Sequence, residues 1–259
     1  MSARGAVLVT GGSRGIGLAI ATRLAQEGYP TALVARNRER LEQVKADLGR
    51  TGVPLWTRAV DLLDPASPAG ILEDVRAHLG PISLLVNNAG TAPSDAIART
   101  TDAMLREALA LHVAVPMALI RGAFDDLLAC GSGTILNVAS SAGLRGFPFA
   151  SAYTAAKHGM VGLSRALAAE LAGTTIRVYA LCPGFVDTDI TRAAAEAIAA
   201  RGRSTVEEAL LRLGRQNRIG RMHTREEVAE AALGLIRDRP AGCVYDLDRR
   251  EPGFVDAEP

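Results

Sequence analysis

The sequence predicts an α/β fold in which a parallel, doubly wound sheet is covered by helices on both faces. Two observations predict this fold. Short apolar runs rich in valine, leucine and isoleucine alternate with helical stretches of ten or more residues along the chain. Polar or glycine-containing segments follow these runs, as ligand-binding loops do at the carboxyl ends of parallel strands.

The apolar runs place the individual elements. Strands are expected at residues 6–10, 31–35, 55–60, 82–86, 134–138 and 176–181. Helices are expected at 16–27, 38–48 and 151–171, because apolar residues there recur on one side, such as Leu18, Ala21, Leu24 and Ala25. With no linker or repeat to divide it, the chain 1–259 is expected to form a single domain.

Composition narrows the classes of function. The chain has 259 residues, of which 48% are hydrophobic and 22% charged, so it can bury a full core. Its formal charge of +1 gives no support for a nucleic-acid partner. Its cysteines, Cys130, Cys182 and Cys243, are too widely spaced for a CxxC metal site, so we expect no metal and buried thiols.

Targeting signals are not expected either. Residues 1–5 have no basic segment followed by an apolar one, so a signal peptide is not predicted. No apolar stretch is expected to approach the ~18 residues that a membrane span needs, so we expect no association with a membrane. A reducing, cytoplasmic compartment is therefore the expected location.

A glycine-rich loop follows the first strand and opens the first helix, with the sequence Thr-Gly-Gly-Ser-Arg-Gly-Ile-Gly over residues 10–17. Glycines there permit a tight turn and let the backbone approach a pyrophosphate, whose charge suits a helix N-terminus. A plain glycine turn is the alternative. The position in a βαβ unit favours dinucleotide binding.

The end of the second strand indicates which dinucleotide. NAD sites usually place a carboxylate there to bind the ribose 2′-hydroxyl, whereas NADP sites use arginine for the 2′-phosphate. Here the strand ends in Arg36 and Asn37 without a carboxylate, and Arg14 of the glycine loop could reach the same phosphate. Two solvated arginines are the alternative. NADP(H) is the predicted cofactor.

A catalytic group is predicted in and after the fifth strand. Tyr153 and Lys157 are four residues apart on a predicted helix and therefore share one face. A nearby ammonium is expected to lower the pKa of a tyrosine and fit it for acid–base catalysis. An amphipathic helix with an incidental pair is the alternative, but Ser140 lies thirteen positions before Tyr153, at a strand end.

These motifs together resemble the short-chain dehydrogenase/reductase family over roughly residues 5–247. The resemblance implies a single-domain Rossmann fold with about seven strands in the order 3-2-1-4-5-6-7, the last of them at 243–247. It also implies that Ser140 hydrogen-bonds a substrate carbonyl, that Tyr153 protonates the alkoxide, and that Lys157 holds the nicotinamide ribose. Ser141 is the rival to Ser140, and the spacing to Tyr153 favours Ser140.

By the same resemblance, Asp61 holds the adenine amino group, and the Asn-Asn-Ala-Gly segment 87–90 and the Pro-Gly turn 183–184 border the cofactor. The residues that the glycine loop, the charge pattern and the resemblance assign to cofactor binding are Gly11, Ser13, Arg14, Gly15, Ile16, Gly17, Arg36, Asn37, Asp61, Leu62, Asn88, Ala89, Gly90, Tyr153, Lys157, Pro183, Gly184, Val186 and Thr188.

Two departures from the family stand out. Members commonly carry asparagine where this chain has His112. Four roles are open for this histidine: it keeps the proton relay of the family, it alters the pH profile of that relay, it contacts substrate, or it is a structural residue. The C-terminus also differs, because 248–253 replaces a segment that often contains two glycines. In the family, that end often packs across subunits, so this departure bears on the assembly. The resemblance implies a homotetramer or homodimer whose interface is formed by helices 104–128 and 151–171.

Substrate contacts are expected from two segments. The loop between Ser140 and Tyr153 contributes Leu144, Phe147 and Phe149, which suggest an apolar or aromatic substrate portion. Residues 189–222 are expected to form two short helices that cover the substrate as a lid. Their arginines could attract an anionic carrier or simply be solvated: Arg192, Arg201, Arg203, Arg212, Arg215 and Arg218.

The sequence therefore predicts an NADP(H)-dependent enzyme that reduces a ketone to a secondary alcohol. A 3-oxoacyl thioester or polyketide-like ketone is the first substrate class to test. Oxidation of a secondary alcohol, such as a steroid or cyclic alcohol, is the second. A sensor that binds NADP(H) without turnover is a remote third, because Ser140, Tyr153 and Lys157 are all present.

Overall fold

The computed structural model describes residues 4–202 and 204–255. Its strands are β1 (Ala6–Thr10), β2 (Thr31–Ala35), β3 (Leu55–Ala59), β4 (Ile82–Asn87), β5 (Thr134–Val138), β6 (Arg177–Cys182), β7 (Val244–Asp246) and β8 (Gly253–Phe254). The order in the sheet is β3-β2-β1-β4-β5-β6-β7-β8. The first seven strands are parallel, which confirms the predicted fold class and order, and their bounds agree with the prediction to within one residue.

Helices flank the sheet on both faces. They are α1 (Gly15–Gln26), α2 (Arg38–Leu48), α3 (Ser67–Leu79), α4 (Asp102–Leu109), α5 (Val115–Ala129), α6 (Ser151–Glu170), α7 (Asp189–Arg201), α8 (Val206–Gly214) and α9 (Arg225–Asp238). A π-helical turn, Ala110–Ala114, joins α4 to α5. The helices α7 and α8 fall in the expected lid segment, whose Arg203 lies outside the described residues.

Two apolar cores hold these layers together, and β1 shows how. Its residues are all buried, and they alternate between the faces because side chains of a strand point to opposite sides. Val7 and Val9 pack in the core with α1 and α9. Ala6 and Leu8 pack in the core with α3 and α5.

The strand β8 was not predicted. It pairs antiparallel with β7, with Tyr245 opposite Phe254. The Phe254 ring packs on Tyr245 and Tyr179, with ring centroids 5.3 Å and 6.3 Å apart. A strand of two residues has no alternation to detect, so only its pairing with β7 in the folded chain reveals it.

Candidate active site

A cavity of about 420 Å³ opens at the carboxyl edge of the sheet, where the predicted loops converge. The predicted site residues that line it are Gly11, Ser13, Arg14, Gly15, Ile16, Arg36, Asn37, Asp61, Leu62, Asn88, Ala89, Gly90, His112, Tyr153, Lys157 and Thr188. Within 4–202 and 204–255, five other residues predicted to be catalytic or to bind the cofactor do not line it: Gly17, Ser140, Pro183, Gly184 and Val186.

The glycine loop needs glycine for steric reasons. Gly11 and Gly15 have φ angles of 67° and 57°, a left-handed conformation that other residues rarely adopt. A Cβ on Gly17 would run into the carbonyl oxygen of Gly11 and the side-chain amide of Asn88. The tight turn leaves the N-terminus of α1 open toward the cavity, and this end of the helix favours an anion.

The loop is fixed to the end of β4. The Thr10 hydroxyl accepts hydrogen bonds from the backbone N–H groups of Asn88 and Ala89, both at 3.0 Å. The side-chain amide of Asn88 donates to the Thr10 carbonyl at 3.0 Å. Asn88 therefore supports the glycine loop, and its neighbour Asn87 is buried and donates to Asn137 at 2.8 Å.

Three arginines line one end of the cavity. Arg14 and Arg36 were predicted, whereas Arg40 of α2 was not. Arg14 and Arg40 both reach the same oxygen of Asp189, the first residue of α7, at 3.0 Å. These two guanidinium groups lower the pKa of Asp189, Arg40 more than Arg14. Two cations that converge on one carboxylate oxygen form an arrangement suited to a phosphate.

The remaining residues at this end are placed by local turns. The carboxylate of Asp61, exposed at the end of β3, accepts from the backbone N–H of Leu63 at 3.0 Å. Asn37 is the N-cap of α2, where its side chain accepts from the backbone N–H of Arg40 at 2.8 Å. Both side chains thus have structural roles besides lining the cavity.

At the other end of the cavity, α6 presents Tyr153 and Lys157. Burial raises the pKa of Tyr153, while a hydrogen bond with Ser140 opposes the rise. The Lys157 ammonium donates to the Val138 carbonyl at 2.8 Å and lies 5.8 Å from the centre of the Tyr153 ring. The structure thus brings Ser140, Tyr153 and Lys157 together, as predicted.

The expected effect of Lys157 on Tyr153 is wrong in this structure. The ammonium is directed at the Val138 carbonyl, and burial lowers the pKa of Lys157 to about 7. Near neutral pH it therefore carries only part of its charge. Desolvation governs Tyr153 instead, so its hydroxyl stays protonated through the neutral range.

His112 lies in the π-helical turn with only 1% of its surface exposed. Its Nε2 is 2.8 Å from the Thr91 carbonyl, which can only accept, so Nε2 carries the hydrogen. Desolvation, helped by the charge of Lys157, lowers the pKa of His112 to about 3. Of the alternatives open for His112, this argues against the one in which it alters the pH profile by carrying a proton near neutral pH.

The surroundings of His112 are tight. Its ring stands edge-on to Tyr153, with centroids 5.5 Å apart and planes at 77°. A Cβ on Gly90 would overlap the His112 ring, so glycine is required there. Among the described residues, Nδ1 of His112 is buried without a hydrogen-bond partner, which leaves an acceptor atom available close to Tyr153.

The Pro-Gly turn after β6 lies behind the cavity. The Pro183 carbonyl accepts from the Ser141 N–H at 2.7 Å, and the Val186 carbonyl accepts from the Thr191 hydroxyl at 2.6 Å. Thr188 caps α7 and lines the cavity. The turn is held by Asn217, which the sequence analysis missed because no motif contains it.

Asn217 is 3% exposed, and its side chain satisfies both backbone polar groups of Phe185. The amide oxygen accepts from the Phe185 N–H at 2.7 Å, and the amide nitrogen donates to the Phe185 carbonyl at 2.8 Å. A Cβ on Gly184 would clash with this oxygen. Glycine at 184 and asparagine at 217 therefore define the turn together.

The substrate contacts expected from the loop between Ser140 and Tyr153 stay a prediction. Within 4–202 and 204–255, the cavity lining does not include Leu144, Phe147 or Phe149. Leu144 packs against the core that contains Met160, Phe147 contacts Phe185, and Phe149 is 65% exposed. Phe149 also adopts a φ of 63°, a strained conformation for a non-glycine residue.

Comparison with known proteins gives the family. Residues 5–199 match the family model for short chain dehydrogenases. The 3-oxoacyl-[acyl-carrier-protein] reductase of Bos taurus is 35% identical over 88% of this chain and 89% of that protein. The assigned ketoacyl reductase 1 of the granaticin polyketide synthase of Streptomyces violaceoruber is 36% identical over 93% and 89%.

Solved structures agree with this result. A variant of actinorhodin polyketide ketoreductase with NADPH has a TM-score of 0.88 at 32% identity, over 94% of this chain and 95% of that one. The L-sorbose reductase of Gluconobacter frateurii complexed with NADPH and L-sorbose has a TM-score of 0.89 at 30% identity, over 98% of both chains. The chain therefore belongs to the short chain dehydrogenase family.

Proposed function

We propose that the chain reduces a ketone to a secondary alcohol with NADPH as the electron donor, and that the same site can run the reverse oxidation. The observation that carries this proposal is the meeting of Ser140, Tyr153 and Lys157 at one end of a cavity whose other end is cationic. The similarity to ketoacyl and sorbose reductases supports it.

The residues at the cationic end fit a dinucleotide phosphate. Left-handed glycines open the N-terminus of α1, and Arg14, Arg36 and Arg40 stand beside it without a carboxylate at the end of β2. A 2′-phosphate would be held by these arginines and an adenine by Asp61. When bound, the nicotinamide supplies the hydride for the carbonyl carbon.

The chain's own residues do the proton chemistry. Ser140 donates a hydrogen bond to the substrate carbonyl, and the Tyr153 hydroxyl gives its proton to the oxygen as negative charge develops there. The raised pKa of Tyr153 suits this role, because the hydroxyl is protonated at neutral pH. Lys157 holds the ribose and, when charged, assists the return of a proton to Tyr153.

The substrate class follows from the relatives. A 3-oxoacyl thioester or polyketide-like ketone is the first choice, and a steroid or cyclic alcohol the second. We propose that residues 189–222 cover the substrate. Of the arginines suggested to attract a carrier, Arg192 and Arg218 already contact Asp187 and Asp246 at 2.9 Å and 3.8 Å. Arg212 and Arg215 are exposed and better placed to meet an anionic carrier.

Self-association is proposed from the helix pair α4–α5. The stretch Asp102–Ala129 has a mean hydropathy of 1.6 over an 18-residue window, of which a third is buried. It is long and apolar enough to cross a membrane by length and composition, so the expectation that no stretch reaches this length is wrong. Core helices of soluble proteins pass the same test, and we propose that it packs against another copy.

A reducing compartment, and so the cytoplasm, remains our proposed location. Cys130 and Cys182 have free thiols, although Cys130 is exposed rather than buried as expected. Thiols persist where glutathione and thioredoxin keep them reduced.

The central test follows NADPH absorbance with a panel of ketones and 3-oxoacyl thioesters, in parallel with NADH. We expect turnover that prefers NADPH, and a loss of about 10²–10⁴-fold in kcat for Tyr153→Phe with NADPH binding retained. Tyr245→Phe, at the far edge of the sheet, is the control. Binding of NADPH without turnover of any substrate would favour the sensor hypothesis, and full activity of Tyr153→Phe would refute the mechanism.

A further inference from the structure

A buried carboxylate lies behind the active site and has no part in the mechanism above. Asp248 follows β7 and is 1% exposed. One of its oxygens accepts from the Arg145 guanidinium at 2.8 Å. The other accepts from the backbone N–H of Arg218 at 3.0 Å and lies 3.6 Å from Nε2 of His223. Asp248 therefore contacts two segments that are distant from it in the sequence, one at Arg145 and one at 218–223.

One of these segments is the loop between Ser140 and Tyr153. Arg145 belongs to this loop, and its side chain also donates to the Gln216 carbonyl at 3.1 Å. The guanidinium carbon lies 4.9 Å from the centre of the Phe147 ring. Phe147 in turn meets Phe185 edge-on, with centroids 5.8 Å apart. The Arg145 side chain thus links Asp248 to the pair of Phe147 and Phe185.

The aromatic pair stands between the substrate loop and the lid. Phe185 follows the Pro-Gly turn and packs against the small apolar core of the lid, which contains Ala195, Ala209 and Leu213. Together, Phe147 and Phe185 connect this loop to the lid through an apolar contact.

The Arg145–Asp248 pair is positioned to hold this loop–lid contact. A carboxylate removed from water is costly unless it is paired and hydrogen-bonded, and this one has both kinds of partner. Asp248 cannot move without losing the Arg218 N–H, and its oxygen would lie 2.7 Å from a Cβ on Gly184. The fixed end of the pair is therefore Asp248, and the loop residue Arg145 is the part it restrains.

We propose that Asp248 is a positioning residue that acts through Arg145, and that the Phe147–Phe185 contact held in this way, between the loop that links Ser140 to Tyr153 and the lid, sets the size of the ketone that the site accepts. This inference rests on the proposed function for its substrate, but its structural half does not. Asp248 is not among the described residues that line the cavity, so its effect is indirect.

The first measurement is hydrogen–deuterium exchange of the intact protein. In Asp248→Asn, which keeps an acceptor for Arg218, we expect faster exchange in peptides covering 141–150 than in the wild type. The control is Asp74→Asn, which breaks the pair of Arg58 and Asp74 at 2.7 Å. The arginines of the two pairs have side chains of similar exposure, 36% and 35%, whereas Asp74 is 41% exposed and Asp248 is 1% exposed. The control therefore matches the substitution and the arginine partner, and it differs in the burial of the carboxylate.

The second measurement is kinetic. Asp248→Asn and Arg145→Gln are each expected to lower kcat/KM on the order of tenfold, mainly through KM, with a greater loss for bulky ketones than for small ones. The affinity for NADPH is expected to change less than about twofold. The double variant is expected to be no worse than either single variant, because both remove the same contact.

The outcomes separate the two proposals. Unchanged exchange in 141–150 for both single variants would overturn the inference even if the enzyme reduces ketones. Faster exchange with no ketone reduced by the wild type would refute the proposed function and leave the positioning role standing. Equal losses in kcat/KM for small and bulky ketones would refute the part of the inference that concerns size. If Asp248→Asn does not fold, Arg145→Gln, which alters the more exposed partner, tests the same contact.

Discussion

At the scale of single residues, His112 shows how burial changes what a side chain can do. A histidine in solution titrates near neutral pH, but here desolvation and Lys157 lower its pKa to about 3. The side chain is uncharged in the pH range of most enzymes. It can donate to Thr91 and offer Nδ1 as an acceptor, but it cannot add an ionisation near neutral pH to the rate profile.

This pKa predicts an acid sensitivity of the fold. The unfolded chain binds a proton at His112 near pH 6.5 and the folded chain only near pH 3, so stability is lost as pH falls between these values. From pH 6.5 to 4.5 the wild type should lose about 2 kcal/mol more than His112→Asn, at roughly 1.4 kcal/mol per pH unit.

Urea unfolding of both proteins at the two pH values measures the difference. Lys157 adds little to this slope, because below pH 7 it is charged in the folded and the unfolded chain alike. His158→Asn changes an exposed histidine and is the control. An identical loss of stability in the wild type and His112→Asn would show that His112 is not held neutral by the fold.

At the scale of elements, the N-cap of α1, helix α2 and helix α7 meet at the carboxylate of Asp189. Asp189 of α7 neutralises part of the charge of Arg14 and Arg40, the groups proposed to bind a 2′-phosphate. Removing this carboxylate should strengthen binding of NADPH. We expect Asp189→Asn to lower the Kd of NADPH about two- to fivefold and that of NADH less, with a smaller effect at high salt.

Titration of both cofactors by fluorescence or calorimetry tests this. Asp187→Asn breaks a similar exposed pair with Arg192, two residues before Asp189, and should leave both Kd values unchanged. An equal gain for NADH and NADPH would mean that the three helices do not form the phosphate site.

At the scale of the whole molecule, α5 exposes an apolar face. Met117 and Leu128 are 46% and 43% exposed, and eleven residues, about three helical turns, place them on one side. If this face packs against another copy, Met117→Glu with Leu128→Glu should dissociate the assembly, because two charges would enter an apolar interface.

Light scattering during size-exclusion chromatography measures the mass of wild type and variant. Leu211→Glu introduces the same charge at a 62% exposed leucine of α8 and should leave the mass unchanged. A wild-type protein that elutes as a single chain would refute self-association, and an unchanged assembly in the double variant would place the interface elsewhere.

The sequence predicted those parts of the fold that depend on local pattern. The parallel strands follow from the alternation of short apolar runs with helical stretches. The glycine loop follows from the glycines at 11 and 15, which can adopt the left-handed conformation that the structure shows. Arg40, Asn217 and Asp248 could not be predicted, because each acts through a partner far away in the chain. The protonation of His112 also depends on its burial beside Gly90, which sequence spacing does not reveal.

The Arg145–Asp248 contact joins residues 103 positions apart. Such long-range contacts cost the most chain entropy and tend to form after local structure. During synthesis the glycine loop, Tyr153 and Lys157 are all made before residue 248 emerges. The nascent chain can therefore complete a nucleotide cleft early, while the restraint on the substrate loop is the last part of the site to be assembled.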